Sequence, residues 1–408
     1  MNHYSAVIRL KPESADAFLM RARLYDIDED YVRANEDYRM VRILDPSNEE
    51  AIHNQALHSF QKQLWSDSIS EFSKLIEIDP ERASCYMFRG RSYAALSFFS
   101  EAMKDLTRAI KLEPDNGPYF FHRGCLLREQ HSMRAIQDFS LSIILTDDLK
   151  MIIDAYFYRA RLYQKIKQYD LAISDYQIVI ERNPTNSRAM LNLGSIYMNH
   201  LKDYPEALEH INRAISIDPR DLRGYICRGE LNEHRYIKAL LLQNTAAATK
   251  RKIRMNSKID NSAQFASAAV RDYSRAIHIR PSNYVFLLYR GRLLLKQGKI
   301  EEATKDFNAA FDMNSHIAQT FTQRVLILSF QRKYKQMQII IKEFDQKKSK
   351  QQQYNDPHLL LLVAKARTRY GQGMGITKGP WSISKRLQSS LDPIIKSLSK
   401  GDGVSRIH

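Results

Sequence analysis

Three kinds of residue in this 408-residue sequence could do chemistry: closely spaced glycines beside a lysine, twelve histidines and three cysteines. Gly371, Gly373 and Gly375 precede Lys378, the composition of a phosphate-cradling loop. Such a loop follows a strand and ends in Lys-Ser or Lys-Thr, so that backbone N–H groups and the lysine converge on one phosphate. Here no strand pattern precedes the glycines, and Gly379 follows the lysine. The histidines are scattered, and none falls in a zinc-protease or zinc-finger pattern. Cys85, Cys125 and Cys227 are far apart and odd in number. They read as reduced thiols of an intracellular protein, not as a disulfide frame or metal site. Glu301 and Glu302 stand at a helix start, where they complement the dipole. Nothing converges on a catalytic pair, so an enzyme is not expected, nor a cofactor or metal.

The elements that would position any functional group are helices in a repeat. Pro12, Pro46, Pro80 and Pro114 are each separated by 34 residues. In Ala83–Pro114, Tyr86, Gly90 and Tyr93 recur at helical spacing, then Ala102, Leu106 and Ala109, and the proline ends the second helix. Arg-Gly pairs recur at Arg89-Gly90, Arg123-Gly124, Arg228-Gly229 and Arg290-Gly291. Ala22, Ala56, Ala160 and Gly194 fill the small place in the other units. A small residue there lets two helices cross closely. This order of aromatic, small and proline places resembles the tetratricopeptide repeat. The resemblance implies an all-α, right-handed α-solenoid of stacked helix-turn-helix units. About nine repeats are expected, with a partial N-terminal unit and a C-terminal capping helix. One unit leaves two apolar faces uncovered, and stacking buries them.

Residues 1–12 read as the second helix of a truncated repeat, a cut edge or a partner-packed helix. The array is expected over 13–344. Its fourth unit is one residue short between helices, its fifth carries three extra residues around Asp148–Ile153, and its sixth has one extra residue near Asp203-Tyr204-Pro205. From Gly229 to Ala269 the chain runs 40 residues where Gly90 to Ala102 takes 12. A basic insertion is therefore expected at about 236–262. Its first part is helix-prone and could extend the preceding helix, and its later part reads as a loop, either a binding loop or a tolerated one. Residues 345–356 read as a polar linker, 357–370 as a capping helix, and 371–408 as a Gly-rich basic tail, disordered or partner-bound.

The formal net charge is +16. This charge suits nucleic acid, an acidic lipid surface or an acidic protein such as tubulin, and the plainer reading is a solvated helical array with basic ends. No nucleic-acid reading motif accompanies the charge, so nucleic acid is the weaker partner. No apolar run reaches the ~18 residues that span a bilayer, and the N-terminus lacks a signal-peptide core. A cytoplasmic setting is expected.

In tetratricopeptide arrays the first helices line the concave groove, at the fifth and ninth places of each repeat. The resemblance therefore assigns Arg23, Met87, Arg91, Phe121, Phe157, Arg161, Leu191 and Arg292 to a partner-binding groove. Chaperone-binding members hold a C-terminal carboxylate with lysines and asparagines there, which this sequence lacks at those places. The groove suits an extended or helical segment with apolar anchors and carboxylates facing Arg23, Arg91 and Arg161. Alternatively these arginines pair with aspartates of neighbouring helices, such as Asp16 or Asp154. The expected function is a non-enzymatic scaffold for a protein partner. The alternatives are a basic binder of a microtubule lattice or nucleic acid, and a co-chaperone adaptor. The Arg-Gly-rich units resemble the eukaryotic tetratricopeptide repeat protein 6 type, and that likeness implies a ciliary setting.

Overall fold

The computed structural model describes residues 2–248 and 261–313. The ninth unit, the linker, capping helix and tail, the Gly371–Lys378 stretch and the centre of the insertion lie outside the described residues. Among the described residues every regular element is helical, and the helices are paired and stacked. The chain divides into two compact units, Met1–Ile196 and Tyr197–His408.

In the first unit, α1 (Asn2–Leu10) precedes five hairpins. They are α2 (Ala15–Ile27) with α3 (Tyr31–Leu44), α4 (Glu49–Gln61) with α5 (Trp65–Ile78), α6 (Ala83–Ala95) with α7 (Phe99–Leu112), α8 (Gly117–Leu127) with α9 (Ser132–Leu145), and α10 (Leu149–Lys165) with α11 (Tyr169–Arg182). Helix α12 (Ser187–Ile196) ends the unit. The second unit holds a π-helical turn (Tyr197–Leu201), α13 (Tyr204–Ile217), the hairpin α14 (Leu222–Ala248) with α15 (Asn261–Ile279), and the hairpin α16 (Tyr284–Lys296) with α17 (Ile300–Met313).

The repeat boundaries follow from proline sterics. Asp45, Asp79, Glu113, Asn183 and Asp218 each cap a second helix and precede proline, and their ψ angles are 84–92°. Proline excludes the helical region for the residue before it, so the chain must turn there. Within a hairpin, one residue takes a left-handed conformation: Glu29, Gln63, Ser97, Lys167, Lys202 and Gly298 have φ of 58–78°. The fourth unit is one residue short, and its turn residue His131 has φ −130° instead.

Small residues on first helices receive large ones from second helices. A Cβ on Gly229 would lie 2.7 Å from the buried Tyr273 ring, and one on Gly291 would lie 2.9 Å from Phe307. The irregular units resolve into helix extensions. The three extra residues of the fifth unit lengthen α10 at its start, where the Asp148 carboxylate accepts from the N–H groups of Lys150 and Met151. The sixth unit contains the π-helical turn, which takes up one more residue than an ordinary helical turn.

The insertion is helical at both ends. Helix α14 has 27 residues where α6 has 13, and α15 has 19 where α7 has 14. Tyr236 is buried against Ala266, Ala269, Tyr273 and Leu293. It belongs to the core of the hairpin, so a loose segment cannot begin there.

Candidate functional site: the first helices and their arginines

In six units the arginine just before the small residue of the first helix is a structural staple. Arg21, Arg89, Arg123, Arg159, Arg228 and Arg290 each lie in a first helix and grip one aspartate of the paired second helix. The aspartates are Asp37, Asp105, Asp138, Asp175, Asp272 and Asp306, held through two guanidinium nitrogens. In Arg89–Asp105 the two bonds are 2.8 and 2.9 Å. In five of the six, the remaining guanidinium nitrogen reaches back to the helix before the hairpin. Arg21 donates to Ser5, Arg89 to Ser73, Arg159 to Ser140, Arg228 to Asn212 and Arg290 to Ser274. One planar fork thus ties three helices, a task that lysine's single ammonium cannot perform.

Where the fork is missing, the register shows what replaces it. In the second unit of the array Gln55 holds the arginine place and Glu71 the aspartate place. Arg42, from the helix before, donates to Gln55 at 2.5 Å and pairs with Glu71 at 2.9 Å. In the sixth unit the register puts Leu193 and His210 at the two places. His210 stacks on Tyr197 at 5.7 Å, and burial lowers its pKa. The only trace of the staple in the sequence is an arginine before the small residue and an aspartate three after the alanine, which recur with the repeat.

The groove arginines assigned from the resemblance have separate fates. Arg23 is exposed on α2 and bound by Glu50 of α4, through Nε at 2.6 Å to one oxygen and Nη2 to the other. It pairs with a neighbouring helix as one alternative held, but with neither Asp16 nor Asp154. Arg161 is exposed on α10. Arg91 on α6 is half-buried, its guanidinium 4.6 Å from the Phe60 ring centre and 5.9 Å from that of Phe88. Its Nη1 lies 3.9 Å from the Met87 sulfur. Burial pushes Arg91 down from the ordinary guanidinium range. The adjacent His122 is pushed down to about 3, first by burial and then by Arg91.

Met87 and Leu191 are buried. Phe121 is half-buried, 5.8 Å from the Phe139 ring and 6.1 Å from that of Tyr158. Phe157 lies 6.0 Å from the Tyr176 ring. Both phenylalanines serve the packing of their hairpins as well as a surface. A charge at either would therefore disturb the packing of its hairpin as well as the surface. Arg292 belongs to the second unit. There it draws down the pKa of Glu230, which burial and the neighbouring Glu233 raise.

Contacts between first helices show that those of the first unit form a row. Arg23 links α2 to α4, Arg91 links α6 to α4, and Phe121 links α8 to α10. Cys125 is held protonated, its pKa raised to about 11 by burial. Among the described residues no group of three or more histidine, cysteine or carboxylate side chains is arranged to hold a metal ion. None of the described helices is long and apolar enough to cross a membrane.

Family models of the tetratricopeptide repeat match residues 83–116 and 158–221. Those two stretches carry tetratricopeptide repeats. Among its relatives is the DnaJ protein P58IPK homolog A of Oryza sativa subsp. japonica, 22% identical over 298 residues, covering 69% of this chain and 58% of that protein. Tetratricopeptide repeat protein 16 of Mus musculus is 23% identical over 300 residues, covering 72% and 37%. Tetratricopeptide repeat protein 6 of Homo sapiens is 24% identical over 172 residues, covering 41% and 30%. The matches thus span less than two thirds of these relatives' lengths, and their similar identities do not single out the type 6 protein. The crystal structure of the C-terminal part of a tetratricopeptide repeat-containing protein from Cytophaga hutchinsonii has a TM-score of 0.50 at 16% identity. It covers 66% of this chain and 98% of that one, a likeness of fold.

Proposed function

We propose that the chain is a non-enzymatic scaffold that holds a segment of a partner protein along the first helices of Met1–Ile196. The observation that carries this reading is the row itself. Its staple arginines are consumed within the array, while Leu57, Phe60, Phe88, Phe121 and Phe157 stay half-buried along the first helices. A half-buried apolar surface on a rigid repeat scaffold gains from covering by an apolar segment.

Exposed Met20 and Arg161 stand on α2 and α10, so their replacement spares the core. Peptides selected by the full chain from a random display library should bind Met20→Glu/Arg161→Glu about tenfold more weakly, with unchanged circular dichroism. Undiminished binding would remove the row from consideration.

The net charge of +16 favours a second reading, a binder of an acidic lattice or nucleic acid. Such binding weakens steeply with salt and survives changes to the row. The type 6 resemblance adds a ciliary setting to the proposal. Tagged full-length chain should concentrate at the axoneme, and a diffuse cytoplasmic signal would end that part.

A further inference from the structure

Arg91 differs from every staple arginine. Each of those faces an aspartate, whereas the described charge partners of Arg91 include no carboxylate, and its one acidic neighbour is the protonated Cys125 thiol. Its guanidinium face rests on Phe60. Stacking of this kind occupies the π face, and the N–H groups other than the one directed at the Met87 sulfur stay available to an in-plane acceptor. Its surroundings are Phe60, Phe88, Met87 and the neutral His122, which supply low polarity and no competing negative charge. In such a setting a fork-to-fork pair with a carboxylate is stronger than in water.

We propose that Arg91 is the seat for a carboxylate of the partner segment, with Phe60, Phe88 and Met87 receiving an apolar side chain beside it. This rests on the scaffold reading and narrows three candidate arginines to one. Arg23 already holds Glu50, and Arg161 is exposed to water. The ligand is an acidic, apolar peptide. Its carboxylate comes from an internal Asp or Glu or from a chain terminus.

Random peptides displayed to the full chain supply the test, followed by anisotropy titration of labelled winners. Selected peptides should carry a carboxylate next to an apolar residue. Arg91→Gln should weaken them by at least about tenfold, Arg91→Lys should recover part of the loss, and Arg108→Gln, on the second helix α7, should leave them nearly unchanged. Urea midpoints of each variant exclude unfolding as the cause. Amidating the peptide terminus, or changing its Glu to Gln, identifies which carboxylate is held. Winners without a carboxylate, or winners that bind Arg91→Gln as well as the unchanged chain, overturn the inference and leave the scaffold reading standing. A library that yields no binder overturns both.

Discussion

Arg89 and Asp105 sit where α5, α6 and α7 meet, with side chains only 18% and 9% exposed. Removing one partner of such a pair strands the other in a poorly solvated place. Asp105→Ala should therefore cost about 2–4 kcal/mol in urea unfolding. Replacing both residues by apolar ones of similar volume should recover much of it. His122 makes a second prediction. Its folded pKa of about 3 lies below its ordinary value. Its contribution is thus fully present above pH ~6.5 and is lost as pH falls from there toward 3, by at most ~1.4 kcal/mol per unit. His53, His58, His210 and His234 are lowered in the same direction. His122→Gln should flatten, not abolish, the fall of stability with acid, and an unchanged slope would contradict the burial of this ring. At this scale the sequence revealed which side chains are small or apolar, because burial leaves a periodic trace. It did not reveal that Arg91 lacks a carboxylate while Arg23 has one, since that depends on which neighbour happens to stand within reach.

The helical elements and their turns carry the next two predictions. Glu29, Gln63 and Ser97 recur 34 residues apart in the left-handed region, and Lys167 of the fifth unit takes the same conformation. Side chains with a Cβ are strained there and glycine is not. Each change to glycine should stabilise by about 0.5–1 kcal/mol, visible as a higher urea midpoint. Glycine at His131, with φ −130°, should give no such gain. Only Gly298 announced this conformation in the sequence, because the other turns carry charged or polar residues that conceal it. The missing residue of the fourth unit and the three extra ones of the fifth were legible by counting against the period. The extent of the insertion was harder to read, because helix propensity alone could not say where burial ended. Tyr236 is 6% exposed, and Tyr236→Ala should cost about 3 kcal/mol. Deleting 236–262 would remove this core tyrosine together with the segment, so loss of binding in that deletion would report on folding as well as on the insertion.

For the whole molecule, the repeat explains why fold and function were unequally legible. A 34-residue period imposes the same contacts in unit after unit, so the stacked hairpins follow from few residues repeated many times. A partner is recognised by what differs between units, and those differences fall at places the period does not constrain. The account depends on the first helices of Met1–Ile196 forming the partner surface. Hydrogen–deuterium exchange of the full chain, with and without a library-selected peptide, tests this most directly. Binding should slow exchange in α2, α4, α6, α8 and α10, most strongly around Arg91, while α3, α5, α7, α9 and α11 change little. Protection concentrated in the second helices, or only beyond residue 313, would contradict it.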